Sequence, residues 1–226
     1  MSAPPEPQTR PPAAAAEHAA AAGHGPSRPA TGYAIVLPPG WRGIPVRQGT
    51  AEAIRRILDE VFGRLGKGRS RDALVRHRID LRRKLTAMAD RARENSGSDL
   101  YLPIEYVHGV TVPASFVVSE GPASAAPGDP AEVVAYLLSG TDGATEVVID
   151  GAIGVRTEHA AAPEPDAEVP FASRRVDYAL AMPGRPGQWL MAVFSTLGNG
   201  DPDGEYARIL VKLFDAMMST FRWTWE

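Results

Sequence analysis

Residues 176–195 read VDYALAMPGRPGQWLMAVFS, and this stretch decides the fold. Val176, Tyr178, Leu180 and Met182 recur with a period of two, which places four large groups on one face of a β-strand. The run QWLMAVFS, rich in aromatic and large apolar residues, reads as a second strand. Between them Pro183 to Gly187 is a turn of hairpin length, so the two strands run antiparallel.

Outward from this hairpin the same signals repeat. DLYLPIEYV (99–107) and TVPASFVVS (111–119) flank His108-Gly109, and EVVAYLLS (132–139) and EVVIDGAIGVRTE (146–158) lie on either side of Thr141-Asp142-Gly143. All four read as strands. YAIVLP (33–38) is an opening strand stopped by Pro38, Pro39 and Gly40. Long crossover segments are missing, so the expected sheet is antiparallel.

Three stretches carry helical spacing instead. After Thr50, a candidate N-cap, Ile54, Ile57, Leu58, Val61, Phe62 and Leu65 form one apolar face. A second helix, capped by Ser70, places Leu74, Leu81, Leu85 and Met88 on one stripe and ends at Asn95-Ser96-Gly97. Leu210, Leu213, Phe214, Met217, Met218 and Phe221 mark a last helix, with Asp201 as its expected N-cap and Pro202 at its first position. Beyond it Phe221, Trp223 and Trp225 alternate with Arg222 and Thr224, which reads as a short terminal strand or extended tail laid on the core. A partner-binding aromatic patch is the alternative for the two indoles. The fold class is therefore α+β, an antiparallel sheet with helices packed on its faces in an α/β/α sandwich.

Composition bounds the rest. The 226 residues are 44% hydrophobic, enough for one medium-sized core. Residues 1–32 are rich in alanine and proline and hold almost nothing large enough to bury, so a disordered tail is expected there, with one α+β domain over 33–226. With no cysteine, thiolate chemistry, disulfides and cysteine zinc sites are excluded. The start MSAPPEPQTRPP lacks a signal-peptide pattern and no apolar window approaches 18 residues, so a cytoplasmic protein without a membrane span is expected.

The net charge of -3 hides a strong segregation. Between Arg64 and Arg93 stand eleven Lys/Arg and three acids, a local excess of +8, so the remainder carries -11. Such a helix suits an acidic protein partner. Nucleic acid is not expected, because no aromatics that would stack on bases are interleaved and no nucleic-acid motif appears. Arg71, Arg78, Arg82 and Arg83 are the candidate partner-binding residues.

Catalytic signals are sparse. Ser195 lacks the G-x-S-x-G elbow and Ser115 lies in a strand with no evident base. His77, His108 and His159 show no metal-ligand spacing, and His18 and His24 fall in the tail. The loop Asn199-Gly200-Asp201-Pro202-Asp203-Gly204 resembles the front of a calcium loop, but its twelfth position is Leu210 where a glutamate is needed. No cofactor and no metal is expected.

YAIVLPPGW (33–41), the antiparallel strands, QWLMAVFST and the closing LFDAMMSTFRW together resemble the PsbP-like superfamily, and within it the LpqN-like proteins of actinobacteria. That resemblance implies an α/β/α sandwich and a non-enzymatic module that binds other proteins. Two features differ from that group. There is no lipobox cysteine, and two consecutive helices, 50–95, follow the first strand. The functional expectation is a non-enzymatic binding or accessory protein, with a small hydrolase built from scattered Ser, His and Asp residues as the alternative.

Overall fold

A computed structural model of the chain describes residues 28–64, 71–104, 112–122, 129–163 and 171–225. Seven strands form an antiparallel sheet: β2 (Trp41–Pro45), β3 (Gly97–Pro103), β4 (Ala114–Pro122), β5 (Thr145–Ile149), β6 (Ala152–Ala161), β7 (Ser173–Ala181) and β8 (Gln188–Thr196). Their spatial order is β2-β3-β4-β8-β7-β6-β5, which makes β2 and β5 the edges. The hairpin read at 176–195 is β7–β8, with Val176 opposite Phe194 and Leu180 opposite Leu190.

Helices cover both faces. On one side α4 (Glu205–Ser219) sets Phe214, fully buried, among three strands. Its ring lies 4.8 Å from Phe194, 5.3 Å from Phe116 and 5.6 Å from Tyr178. On the opposite side α1 (Thr50–Arg64) and α2 (Arg71–Glu94) bury Ile54, Ile57, Leu58, Leu85 and Ala89 against Ile44, Leu100 and Leu102 of the β2–β3 end. There α3 (Pro130–Gly140) covers Val155, Ala179 and Trp189 with Val133 and Val134. The sandwich expected from the strand and helix spacing is thus the observed architecture.

Several local expectations need correction. EVVAYLLS is the helix α3 and not a strand, because Asp129 accepts the Ala131 N–H at 3.0 Å, Pro130 sits at the helix start, and Val133, Val134, Leu137 and Leu138 have the 3,4 spacing of one face. The run 146–158 is two strands folded at Asp150-Gly151, whose φ angles of 49° and 79° make a two-residue hairpin turn. Asp201 does not cap α4. Its carboxylate accepts the Asp203 N–H at 3.0 Å, and the helix begins at Glu205 after Gly204.

The opening strand is shorter than its sequence suggests. β1 spans Gly32–Ala34 and pairs with the terminal strand β9 (Arg222–Thr224), Tyr33 standing opposite Trp223. Order also starts earlier than composition indicates. Ala30 is fully buried and its N–H donates to the Pro183 carbonyl at 3.0 Å. Residues 1–27, where His18 and His24 fall, lie outside the described residues. Trp223 is in the core at 3% exposure, whereas Trp225 is 41% exposed.

Candidate functional site

The basic helix α2 has a buried and a solvent side. Leu85, Ala89 and Ala92 face the core, and Arg76, Arg82, Arg83, Lys84 and Arg91 are exposed. Val75 and Ile79 are each 51% exposed. Positions 75, 79 and 82 follow the i, i+4, i+7 spacing of one stripe, so these two apolar side chains share a flank with Arg82.

The four predicted partner-binding residues do not form one patch. Arg78 belongs to the seam between α1 and α2: its guanidinium donates to Asp59 at 2.6 Å and lies 5.9 Å from the centre of the Phe62 ring. Arg82 forms no ion pair among the described residues, and Arg83 reaches only the exposed Asp80, at 3.6 Å. Arg71 opens the helix, but its side chain lies outside the described residues.

A second polar feature was not singled out from the sequence. On the α4 face, a chain of alternating charges runs Asp203, Arg174, Glu158, Arg156, Asp215. Arg174 joins Asp203 at 3.0 Å and Glu158 at 2.7 Å, and Arg156 joins Glu158 at 2.8 Å. Arg156 grips Asp215 through two hydrogen bonds of 2.9 and 3.0 Å, and the Tyr178 hydroxyl donates to the same carboxylate at 2.8 Å. Burial alone would raise the Glu158 carboxyl, but Arg156 and Arg174 outweigh it and hold it below the usual range. Burial and the neighbouring Asp215 push the Tyr178 phenol up, so it stays a donor. Strand periodicity carried a signal for this ladder. Arg174 continues the inward series Val176, Tyr178, Leu180, and Arg156 and Glu158 sit two apart on the same face of β6.

The ladder ends at a cleft of about 550 Å³ between β5 and the end of α4. Val147 and Ile149 line it with Tyr178, Asp215, Ser219 and Arg222. Asp150, at its rim, accepts the Trp223 backbone N–H at 2.8 Å and lies 3.8 Å from Arg222.

A third polar group pins the N-terminal segment. The Tyr33 hydroxyl donates to Asp99 at 2.9 Å and sits 2.8 Å from the Tyr101 hydroxyl. Burial raises the Asp99 carboxyl above its ordinary value, against the opposing pull of the Tyr33 hydroxyl and the Arg47 charge. Burial likewise pushes the Tyr101 phenol up to about 12.

The serine and histidine candidates do not assemble into a nucleophile–base pair among the described residues. Ser115, Ser195, Arg175 and His159 stand in one row across β4, β8, β7 and β6, with Arg175 between Ser195 and His159. His77 is exposed with its ring nitrogen 2.6 Å from the Ala73 carbonyl, and His108 lies outside the described residues.

Neither a protein-family model nor a curated protein matches the chain. Among solved structures, the crystal structure of a protein from Bacteroides thetaiotaomicron is similar at 15% identity and a TM-score of 0.35. The match covers 57% of this chain and 40% of that one, and a likeness of this degree carries no functional argument.

Proposed function

We propose that the protein is a cytoplasmic, non-enzymatic binding or accessory module, and that the outer flank of α2 is its contact surface for an acidic protein. The observation that carries the reading is the grouping of half-exposed Val75 and Ile79 with Arg82, which has no ion pair among the described residues, and the loosely held Arg83 on one helix. Exposed aliphatic groups beside unsatisfied cations suit a partner that offers carboxylates around an apolar strip. The +8 excess between Arg64 and Arg93 supports the choice of an acidic partner. The PsbP-like resemblance points the same way, since its members are protein-binding modules. No helix among the described residues is long and apolar enough to cross a membrane.

Charge reversal tests this reading. Arg82→Glu with Arg83→Glu, in the full chain, should abolish salt-sensitive capture of an acidic partner and leave the melting temperature unchanged. Arg78 is left intact because reversing it would set a glutamate against Asp59 and destabilise the α1–α2 seam. A capture profile identical to that of the parent would overturn the proposal, and insensitivity to nuclease separates protein from nucleic-acid capture.

A further inference from the structure

The outer edge of β5 and the cleft beside it form a second surface, independent of α2. β5 pairs with β6 on one side and, among the described residues, with no strand on the other. Natural edge strands are blunted by proline, lysine, bulges or a covering element. The five-residue sequence Thr145-Glu146-Val147-Val148-Ile149 carries one charge, the exposed Glu146, contains no proline or lysine, and pairs with β6 in unbroken register. Val148 is 65% exposed.

The inward side chains of this strand, Val147 and Ile149, line the 550 Å³ cleft. Its polar wall has a definite bias. Asp215 is held rigid by Arg156 and the Tyr178 hydroxyl, yet its side chain keeps 35% of its exposure. Asp215 is also one of the two acidic ends of a ladder with three carboxylates and two guanidinium groups, so the ladder lacks one positive charge. Arg222, the cation on the rim, is already engaged: it donates to the carbonyls of Ser219 and Phe221 and lies 3.8 Å from Asp150.

We propose that β5 accepts an extended segment of a partner protein as an added strand, and that one arginine or lysine of that segment enters the cleft. The main chain supplies the ladder of hydrogen bonds, and alternate side chains point to alternate faces, so a single residue of the segment is aimed at the cleft. Its aliphatic stem lies along Val147 and Ile149. Its charged head meets the open side of Asp215, where a charge-assisted hydrogen bond replaces solvent.

The probe is the acetylated, amidated peptide Thr-Val-Arg-Val-Thr, titrated into the isotope-labelled full chain at constant ionic strength. Saturable amide shifts confined to β5, Ser219 and Arg222, with a midpoint below about 1 mM, are expected. Replacing the arginine by citrulline should weaken binding about tenfold or more, and N-methylation of the flanking valines should abolish it. Because Asp215→Asn could loosen α4, Ser219→Phe serves as the second variant. It fills the cleft beside Asp215 while leaving every charged group of the ladder in place, and should remove the preference for arginine over citrulline. No saturable shift, equal binding of the N-methylated peptide, or an arginine preference that survives Ser219→Phe would overturn the proposal.

Discussion

Asp150, at the tip of the β5–β6 hairpin, accepts the backbone N–H of Trp223 at 2.8 Å across 73 residues of chain. One side chain in a left-handed turn position, φ 49°, thereby fastens the terminal strand to the hairpin beside the cleft. Asparagine keeps an acceptor oxygen and tolerates that backbone, whereas alanine loses both, so the two substitutions separate the carboxylate charge from the hydrogen bond and turn taken together.

Asp150→Ala should therefore cost about 1–3 kcal/mol, since it leaves the part-buried Trp223 N–H without its acceptor. Asp150→Asn should recover most of this. Urea unfolding of the pair is the measurement, and equal losses for both variants would show that charge with Arg222, not the hydrogen bond, matters.

Arg156 is the centre of the ladder, with 17% side-chain exposure between Glu158 and Asp215. Arg156→Gln takes the only guanidinium from Asp215 and one of two from Glu158, which keeps Arg174, and should lower stability by about 2–3 kcal/mol, less than for a fully buried pair because both carboxylates keep other partners and contact with water. The Glu158 carboxyl lies below the ordinary range, so its contribution is present above the unfolded value near ~4.3 and is lost as pH falls through its lowered folded value. Glu158→Gln should flatten the acid limb of a stability-versus-pH curve.

Asp99 has the opposite sign. Burial raises its carboxyl, so protonation favours the folded state: its contribution is present below the unfolded value near ~3.9 and is lost as pH rises through the raised folded value. Asp99→Asn keeps an acceptor for the Tyr33 hydroxyl and removes the buried charge. It should equal or exceed the parent in stability at pH 7, with the gain shrinking on acidification, as read by thermal unfolding across that range.

The two terminal indoles should behave differently. Trp223→Ala should cost about 3–5 kcal/mol, whereas Trp225→Ala should stay within about 0.5 kcal/mol. Trp223 packs edge-on against Phe221 at 4.9 Å, and its ring N–H is buried without a partner among the described residues. Trp223→Phe should consequently lose less than the change in ring size alone predicts, because it removes an unsatisfied donor.

What could be read from the sequence followed the range of the interactions. The β7–β8 hairpin, the α4 stripe and the terminal strand are set by spacing within a dozen residues, and they stand as read except that Trp225, expected against the core, is 41% exposed. EVVAYLLS failed because branched residues outweighed a helix start, Asp129-Pro130, that lay just outside the run. Arg78 was grouped with Arg82 by position along one helix, while its side chain was decided by Asp59 and Phe62 on another. The charged ladder draws on β6, β7 and α4 at once, so only its strand-periodic half, Arg156, Glu158 and Arg174, left a trace in the pattern.

The pairing of β1 with β9 has a mechanical consequence. Gly32 lies opposite Thr224 and Ala34 opposite Arg222, so the chain leaves this ribbon at one end through both strands. Tension applied to the two ends would load these hydrogen bonds one at a time, as in opening a zipper, and would not shear them together. On the N-terminal side the bond from the buried Ala30 N–H to Pro183 is loaded first, and release of the ribbon behind it would peel Tyr33 from Phe221 and uncover the end of α4.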